Sequence, residues 1–405
     1  MAADPVRVLL HRRYRQRAAR GHGRGRQRRQ ARSPDERHGS ARRPAHGDVR
    51  GGQGQLVHGP HRDQPARQLL RRVRLRRRAG LQAATAARRV RPRLRALPAL
   101  GGEHAGLAAR EARRSSRRRV IGNATHEIPR HEINLDFARN QVDTLQRLIE
   151  SALEDAESDP DALSAARRRA LMRFEYLTAL DPSAGEEETW QAAVFASQTA
   201  NAVFARTSKS EDAVPCQLGD RVYELPVLGP NHHATPVDWL TAAFLAVITR
   251  SEKRVAELVK VGKYTLRGSG AQVEDYVQPW VETLQRYLGG DQVPPALLES
   301  VIDLTDPEQA KFASRDFMLL VAYPPANILF RVLRGTAEQF NDALMQATTA
   351  HRDYWRQADF ADNPDGFIAL ATLAMAIRGR DNGFPVEVES GYLPENLVNG
   401  TWSDR

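Results

Sequence analysis

A chain of 405 residues can hold two or three domains and bury a sizeable core, but its formal net charge of +11 averages two opposite parts. Residues 1–120 carry 34 Arg, no Lys and 7 acidic groups, a net of +27, while residues 121–405 carry 26 basic and 42 acidic groups, a net of −16. The acidic second part favours basic partners over nucleic acid, and a single cysteine, Cys216, excludes an intrachain disulfide or a thiolate metal cluster.

Residues 1–120 lack Lys, Ile, Phe, Asn, Trp and Cys and hold one tyrosine, Tyr14. Without large apolar side chains they cannot offset the entropy cost of ordering, so the segment is expected to be disordered. Clusters such as "RRVRLRRR" (Arg71 to Arg78) could neutralise phosphates. On that alternative the protein is nucleic-acid-associated through an Arg-rich N-terminal arm. The competing reading is a misassigned or frameshifted N-terminus, because the missing residues include those with A/T-rich codons. The second part uses 5 Lys to 21 Arg, and at that ratio 34 basic residues without Lys would arise with a chance of roughly 0.001. Translation is therefore expected to start near Val120, with residues 121–405 forming a single α-helical domain.

From Ile133 the pattern becomes that of helices with clear stops. In "INLDFARNQVDTLQRLIESALEDA", Leu135, Phe137, Val142, Leu145, Leu148, Ile149 and Leu153 fall largely at three- and four-residue spacings. Asp159-Pro160 supplies an N-cap and first position for a second helix through Leu163, Leu171, Phe174 and Leu177, ending at "LDPSAG". A third, "EEETWQAAVFASQTANAVFAR", opens on glutamates that complement the helix dipole. "VPCQLGDRVYELPVLGP" reads as a β-hairpin about Gly219-Asp220, the one strand pair expected.

Thr235-Pro236 then caps "VDWLTAAFLAVITR". Further helices are expected in "SEKRVAELVKV", "QVEDYVQPWVETLQRYL", "PPALLESVIDL" and the segment opening at Asp306-Pro307. Tyr323-Pro324-Pro325 is read as stopping one apolar helix before "ANILFRVLRG"; "AEQFNDALMQATTAHRDYW" and "PDGFIALATLAMAIRG" complete the set. The runs Trp239 to Ile248 and Phe367 to Ile377 are shorter than the ~20 residues a bilayer requires, so no membrane partner is expected. The fold expected is mostly α, with stacked antiparallel helix pairs and one small β-hairpin. The lone cysteine suits a reducing cytoplasm.

Candidate chemistry is sparse. "HEIPRHE" (His126 to Glu132) misses the H-E-x-x-H spacing that places two imidazoles one helical turn apart, and Pro129 intervenes. His232-His233, followed by Asp238, could supply metal ligands or a general base, against the plainer reading of exposed loop histidines. "KVGKYT" and "LRGSGAQ" match no phosphate loop and read as a helix–helix turn with Ser269 or Gly270 near a cap. Cys216 reads as a small apolar residue of the hairpin. Trp239, Trp280, Tyr323, Tyr354 and Trp355 read as core, and Glu187, Asp275 and Asp353 as solvated helix faces. No catalytic, cofactor-binding or metal residue is assigned, and no enzymatic activity or cofactor is expected.

The phrases "YLTALDPSAGEEETWQAAVFASQ", "LPVLGPNHHATPVDWLTAAFLAVITR", "VEDYVQPWVETLQRY", "DLTDPEQAKFASRDFMLLVAYPPANILFRVLRGTAEQFNDALMQATTAHRDYW" and "DNGFPVEVESGYLPENLV" follow one another as in the Immunity protein 49 family. The chain resembles that family over Glu127 to Leu397, through ordered structural phrases and not through a catalytic motif. The resemblance implies a helical cytoplasmic protein that binds and neutralises a cognate toxin domain of a bacterial polymorphic toxin system. The basic tail departs from the family pattern. At −16 the second part would suit a basic toxin such as a nuclease.

Overall fold

A computed structural model of the chain describes residues 126–207 and 212–402. The arginine-rich segment 1–120, its expected disorder and its possible role on nucleic acid lie outside these residues. The described chain opens with β1 (His126–Glu127) and enters α1 (Leu135–Glu154), where Asn134 Oδ1 accepts the Phe137 amide. The buried stripe of α1 is Ala138, Val142, Leu145, Ile149 and Ala152. Phe137 and Leu148, expected on that face, each sit one residue off it, about 100° around the helix. They are 48% and 41% exposed, and Leu135 in the first turn is 47% exposed.

α2 (Pro160–Leu180) starts where the caps require, with Asp159 accepting the Asp161 amide. Asp181 links its end to the start of α3 (Glu187–Ala205): its backbone N–H closes α2 on Leu177 O, and its carboxylate serves α3. Asp181 accepts the amides of Gly185 and Glu186 and the Thr189 hydroxyl at 2.8–3.0 Å. Partial burial would raise its pKa, but these hydrogen bonds bring it below the ordinary value. The hairpin follows as β2 (Ala213–Leu218) and β3 (Arg221–Pro226), antiparallel with Leu218 opposite Arg221. Gly219 takes φ +62° in the two-residue turn, which an L side chain rarely adopts.

α4 (Pro236–Ile248) buries ten of its thirteen residues, as a helix apolar all round must. Trp239 is wholly buried and donates its indole N–H to Leu258 O, so no polar atom of its ring is left unpaired. α5 (Glu252–Leu258), α6 (Lys263–Arg267), α7 (Val277–Leu288) and α8 (Pro295–Leu304) follow. α7 begins later than its apolar pattern suggests. The buried Glu274 carboxylate instead accepts the backbone amides of Lys311, Phe312 and Ala313 at 2.6–3.2 Å, which holds residues 272–276 out of the helix. The segment at Asp306-Pro307 forms only a 3₁₀ turn, Pro307–Gln309.

Where the sequence reads a stop at Tyr323-Pro324-Pro325, α9 (Arg315–Arg334) runs straight through it. Proline inside an α-helix lacks the N–H for the i−4 carbonyl and collides with it. Here Met318–Ala322 widens into a π turn, with the Tyr323 amide reaching back to Met318 O. The prolines thereby occupy the first turn of the next α segment, where their missing donors cost little. By length and composition this helix could cross a membrane, unlike the runs Trp239–Ile248 and Phe367–Ile377 considered from the sequence. Yet Met318, Leu319, Ala326, Ile328 and Leu329 are buried against the rest of the protein, as in a core helix.

α10 (Ala337–Trp355) opens with a reciprocal capping box between Thr336 and Gln339. α11 (Leu370–Asp381), β4 (Val388–Glu389) and α12 (Glu395–Asn399) complete the elements. The helices pack in the order α1, α2, α3, α4, α11, α9, α10, each against the next, so α4 and α11 form the middle of the stack. Gly379 of α11 lets that helix come close to α10, since a Cβ there would lie 2.3 Å from the ring of buried Phe340. A second sheet, missed from the sequence, pairs β1 with β4 in parallel, with His126 opposite Val388 and Glu127 opposite Glu389. The fold is thus mostly α, with stacked helix pairs and two two-stranded sheets among the described residues.

Candidate functional site

The β1–β4 pairing brings residues 126–131 against residues 387–392, and a network of polar groups lies around it. Arg130 donates Nη1 to Thr178 O at 2.7 Å and Nη2 to Gly391 O, bracing the end of α2 against the loop after β4. A Cβ at Gly391 would sit 3.1 Å from Arg130 Nε, so a glycine there leaves the guanidinium its room. Burial lowers the Arg130 pKa to about 10, partly opposed by Tyr392.

Tyr392 and His131 are joined twice. The Tyr392 oxygen accepts the His131 backbone N–H at 2.8 Å and lies 2.6 Å from His131 Nδ1. His131 Nε2 is 3.0 Å from Ala361 O, an acceptor, which assigns the proton to Nε2 and leaves Nδ1 to accept from the Tyr392 hydroxyl. His351 of α10 packs edge-on to the Tyr392 ring at 4.8 Å and donates Nε2 to Gly366 O. Its burial lowers the imidazole pKa to about 3, so it stays neutral. On α2, Glu175 is buried with Oε2 lacking a hydrogen-bond partner in the protein. Burial, then the negative charge of Asp365, hold its carboxyl well above the ordinary range.

Above this cluster lies a cleft of about 450 Å³. Ile133, Leu135, Pro129 and Pro182 supply apolar wall, Arg130 and His131 polar wall, and Glu127 and Glu389 the rim. Because the strands are parallel and in register, those two exposed glutamates stand side by side. The arrangement offers negative charge next to exposed apolar surface, which fits a cationic side chain with an aliphatic stem. Beneath it, Arg130, His131 and His351 hold backbone carbonyls and Tyr392 holds His131, while Arg130 Nε and Glu175 Oε2 have no hydrogen-bond partner in the protein.

The residues nominated from sequence fare differently. In "HEIPRHE", His126 is an exposed strand residue and His131 is hydrogen-bonded into the cluster, so the two do not converge. His232 and His233 do come together, with ring centroids 3.9 Å apart, but their third partner is Asp161 of α2, 2.9 Å from His233 Nε2. Asp238 instead pairs with Arg167 at 2.9 Å and accepts the Thr235 hydroxyl. Burial, then His232, lower the His233 pKa against the opposing pull of Asp161.

Ser269 closes the turn after α6 by donating to Leu266 O, as a helix–helix connection requires. Cys216 is buried in the hairpin, and burial pushes its thiol up to about 11, away from nucleophilic use. Trp239, Trp280, Tyr354 and Trp355 are core, whereas Tyr323 is only partly buried. Glu187 and Asp275 are exposed, Asp275 pairing with Lys311, and Asp353 is half-buried beside Arg352 and Arg356. Arg130, His351, Glu175 and Tyr392 carried no sequence signal of their role. The nearest hint was the phrase "ESGYLPEN", in which Ser390, Gly391 and Tyr392 all serve the cluster.

Comparison with known proteins returns one family model, Immunity protein 49, which matches residues 181–397. That span covers α3 to the middle of α12, including β4 and the Tyr392 side of the cleft. No curated protein and no solved structure matches the chain.

Proposed function

Because the chain belongs to the Immunity protein 49 family, whose members serve immunity in toxin systems, we propose that it neutralises one toxin domain by stoichiometric binding, without catalysing a reaction. The observation that carries this reading is the family match over more than half of the chain. The cleft geometry supports it. Paired Glu127 and Glu389 beside Leu135 and Ile133 make a surface suited to a basic anchor residue, and the net charge of −16 over residues 121–405 would steer a basic partner toward it. A nuclease, whose own surface must attract phosphate, is the class of toxin that such charge favours. We place the system in bacteria, as a polymorphic toxin with its immunity protein, and the binding in the cytoplasm.

The test is protection. Cells expressing a toxin domain encoded beside this chain receive the full chain, or residues 120–405, in trans. Restored growth, with a one-to-one complex on co-purification, is expected from both. Continued killing in the presence of folded, expressed full chain would remove that toxin as the partner. Restored growth without any complex would overturn the binding mechanism.

A further inference from the structure

The cluster of Asp161, His232 and His233 lies outside the cleft and has no part in the function proposed above. Its three donor groups come from two segments far apart in sequence: the first turn of α2 and the loop between β3 and α4. One ligand atom from each side chain can be drawn so that all lie within 4.8 Å of one another. Two donors on one tetrahedral ion with bonds of about 2.0–2.1 Å stand about 3.3 Å apart. The 2.9 Å between His233 Nε2 and Asp161 Oδ1 is already close to that separation.

Adjacent histidines in extended chain point to opposite sides. Here the turn at Asn231 defeats that alternation, with Asn231 Oδ1 accepting the His233 amide and Asn231 O accepting the Ala234 amide. The two rings consequently face one another at 3.9 Å. The segments are also fixed relative to each other. Arg206 donates to Pro160 O and to Pro226 O, and Arg167 of α2 pairs with Asp238 of α4. The Arg168 cation opposes positive charge at His233, and the Asp161 carboxylate offsets it.

We propose that Asp161, His232 and His233 form a binding site for a divalent cation of the zinc class, with water completing the coordination. Two imidazoles and one carboxylate suit Zn²⁺, Co²⁺ or Ni²⁺ and not the all-oxygen preference of Mg²⁺ or Ca²⁺. The metal takes the place of the proton shared between His233 Nε2 and Asp161 Oδ1, and His233 then carries its proton on Nδ1. Asp161 and His232 are exposed, so the remaining coordination positions open to solvent. The ion would staple the start of α2 to the loop leading into α4.

The measurement is zinc uptake by the untagged full chain, read by competition with a chromogenic chelator, with Co²⁺ absorption as a second readout. The variants are His232→Ala, Asp161→Asn and, as a control, His126→Ala. His232 is the clean position, because its side chain is exposed and meets only the His233 ring in the contacts described. One zinc per chain is expected, with affinity falling at least tenfold in His232→Ala and Asp161→Asn but not in His126→Ala. Visible Co²⁺ bands without a thiolate charge-transfer band should accompany it and vanish in the same two variants. Circular dichroism melts without metal should match wild type for His232→Ala. No stoichiometric uptake by the wild type would overturn the site, as would wild-type affinity in both variants.

Discussion

The Tyr392 hydroxyl and His131 hold each other in both directions, the oxygen accepting the His131 backbone N–H at 2.8 Å while lying 2.6 Å from Nδ1. Tyr392→Phe removes both bonds and leaves a part-buried amide and an imidazole nitrogen unmet. Each unsatisfied group costs about 1–3 kcal/mol. The unfolding free energy from urea titration should fall by that order, as a lower midpoint at unchanged slope; an unaltered midpoint would show that water replaces the hydroxyl at no cost.

Glu274 is a staple between two loops, its buried carboxylate accepting three consecutive backbone amides. Hydrogen bonds to a charged group contribute about 1.5–3 kcal/mol each, and not additively. Glu274→Ala is expected to destabilise by about 3 kcal/mol. It should also release the amides of Lys311, Phe312 and Ala313 to faster hydrogen exchange than their neighbours. Uniform exchange along the chain would contradict a local staple.

Two buried groups give opposite pH windows. His351 has a folded pKa of about 3 against 6.5 unfolded, so the unfolded chain binds the extra proton in between. Stability from this group is present above about 6.5 and falls by about 1.4 kcal/mol per unit as pH drops through that window. Glu175 is raised well above 4.5, so the folded chain holds the extra proton. Its contribution is complete below about 4.5 and is lost as pH rises toward the folded value. Melting curves across pH should show Glu175→Gln flattening the alkaline side and His351→Gln the acidic side. Identical profiles for wild type and variants would refute both assignments.

Gly379→Ala sets helix propensity against packing. Alanine is favoured by about 1 kcal/mol in an exposed helix, but here its Cβ would stand 2.3 Å from a Phe340 ring that is wholly buried and cannot withdraw freely. Overpacking of this kind costs about 1–3 kcal/mol, so a net loss is expected in thermal unfolding. Phe340→Leu in the same chain should recover part of it.

The rim of the cleft makes the functional prediction. Glu127→Lys with Glu389→Lys should slow association with a basic toxin by about tenfold at low ionic strength and leave the fold intact, since both side chains are exposed. Stopped-flow association at several salt concentrations reads this directly. Unchanged rates would move the interface elsewhere on the protein.

What could be read from the sequence was local. Asp159-Pro160, Thr235-Pro236 and Gly219-Asp220 declare their caps and turn within a few residues, and the structure uses each as expected. Where a distant partner decides, the pattern misleads. Residues 272–276 fit the periodicity of α7 but follow Glu274 to the amides of residues 311–313. The double proline after Tyr323 reads as a stop until a π turn widens the helix ahead of it. The candidate site belongs to the second kind. Arg130, Glu175, His351 and Tyr392 are ordinary residues in their own neighbourhoods and acquire a role only when four separate segments meet. His232-His233 was conspicuous, but its third partner, Asp161, sits on a helix that no spacing rule connects to it.

The two walls of the cleft are 261 residues apart along the chain, joined by Arg130 to Gly391 and by His131 to Tyr392. A ribosome adding about 5–20 residues per second needs on the order of tens of seconds to travel from one wall to the other. Helices α1 to α4 can collapse meanwhile through contacts near in sequence, whereas the cleft waits for the far segment to emerge. An unfinished chain therefore has helices without this surface, which exists only in molecules carried through to Tyr392.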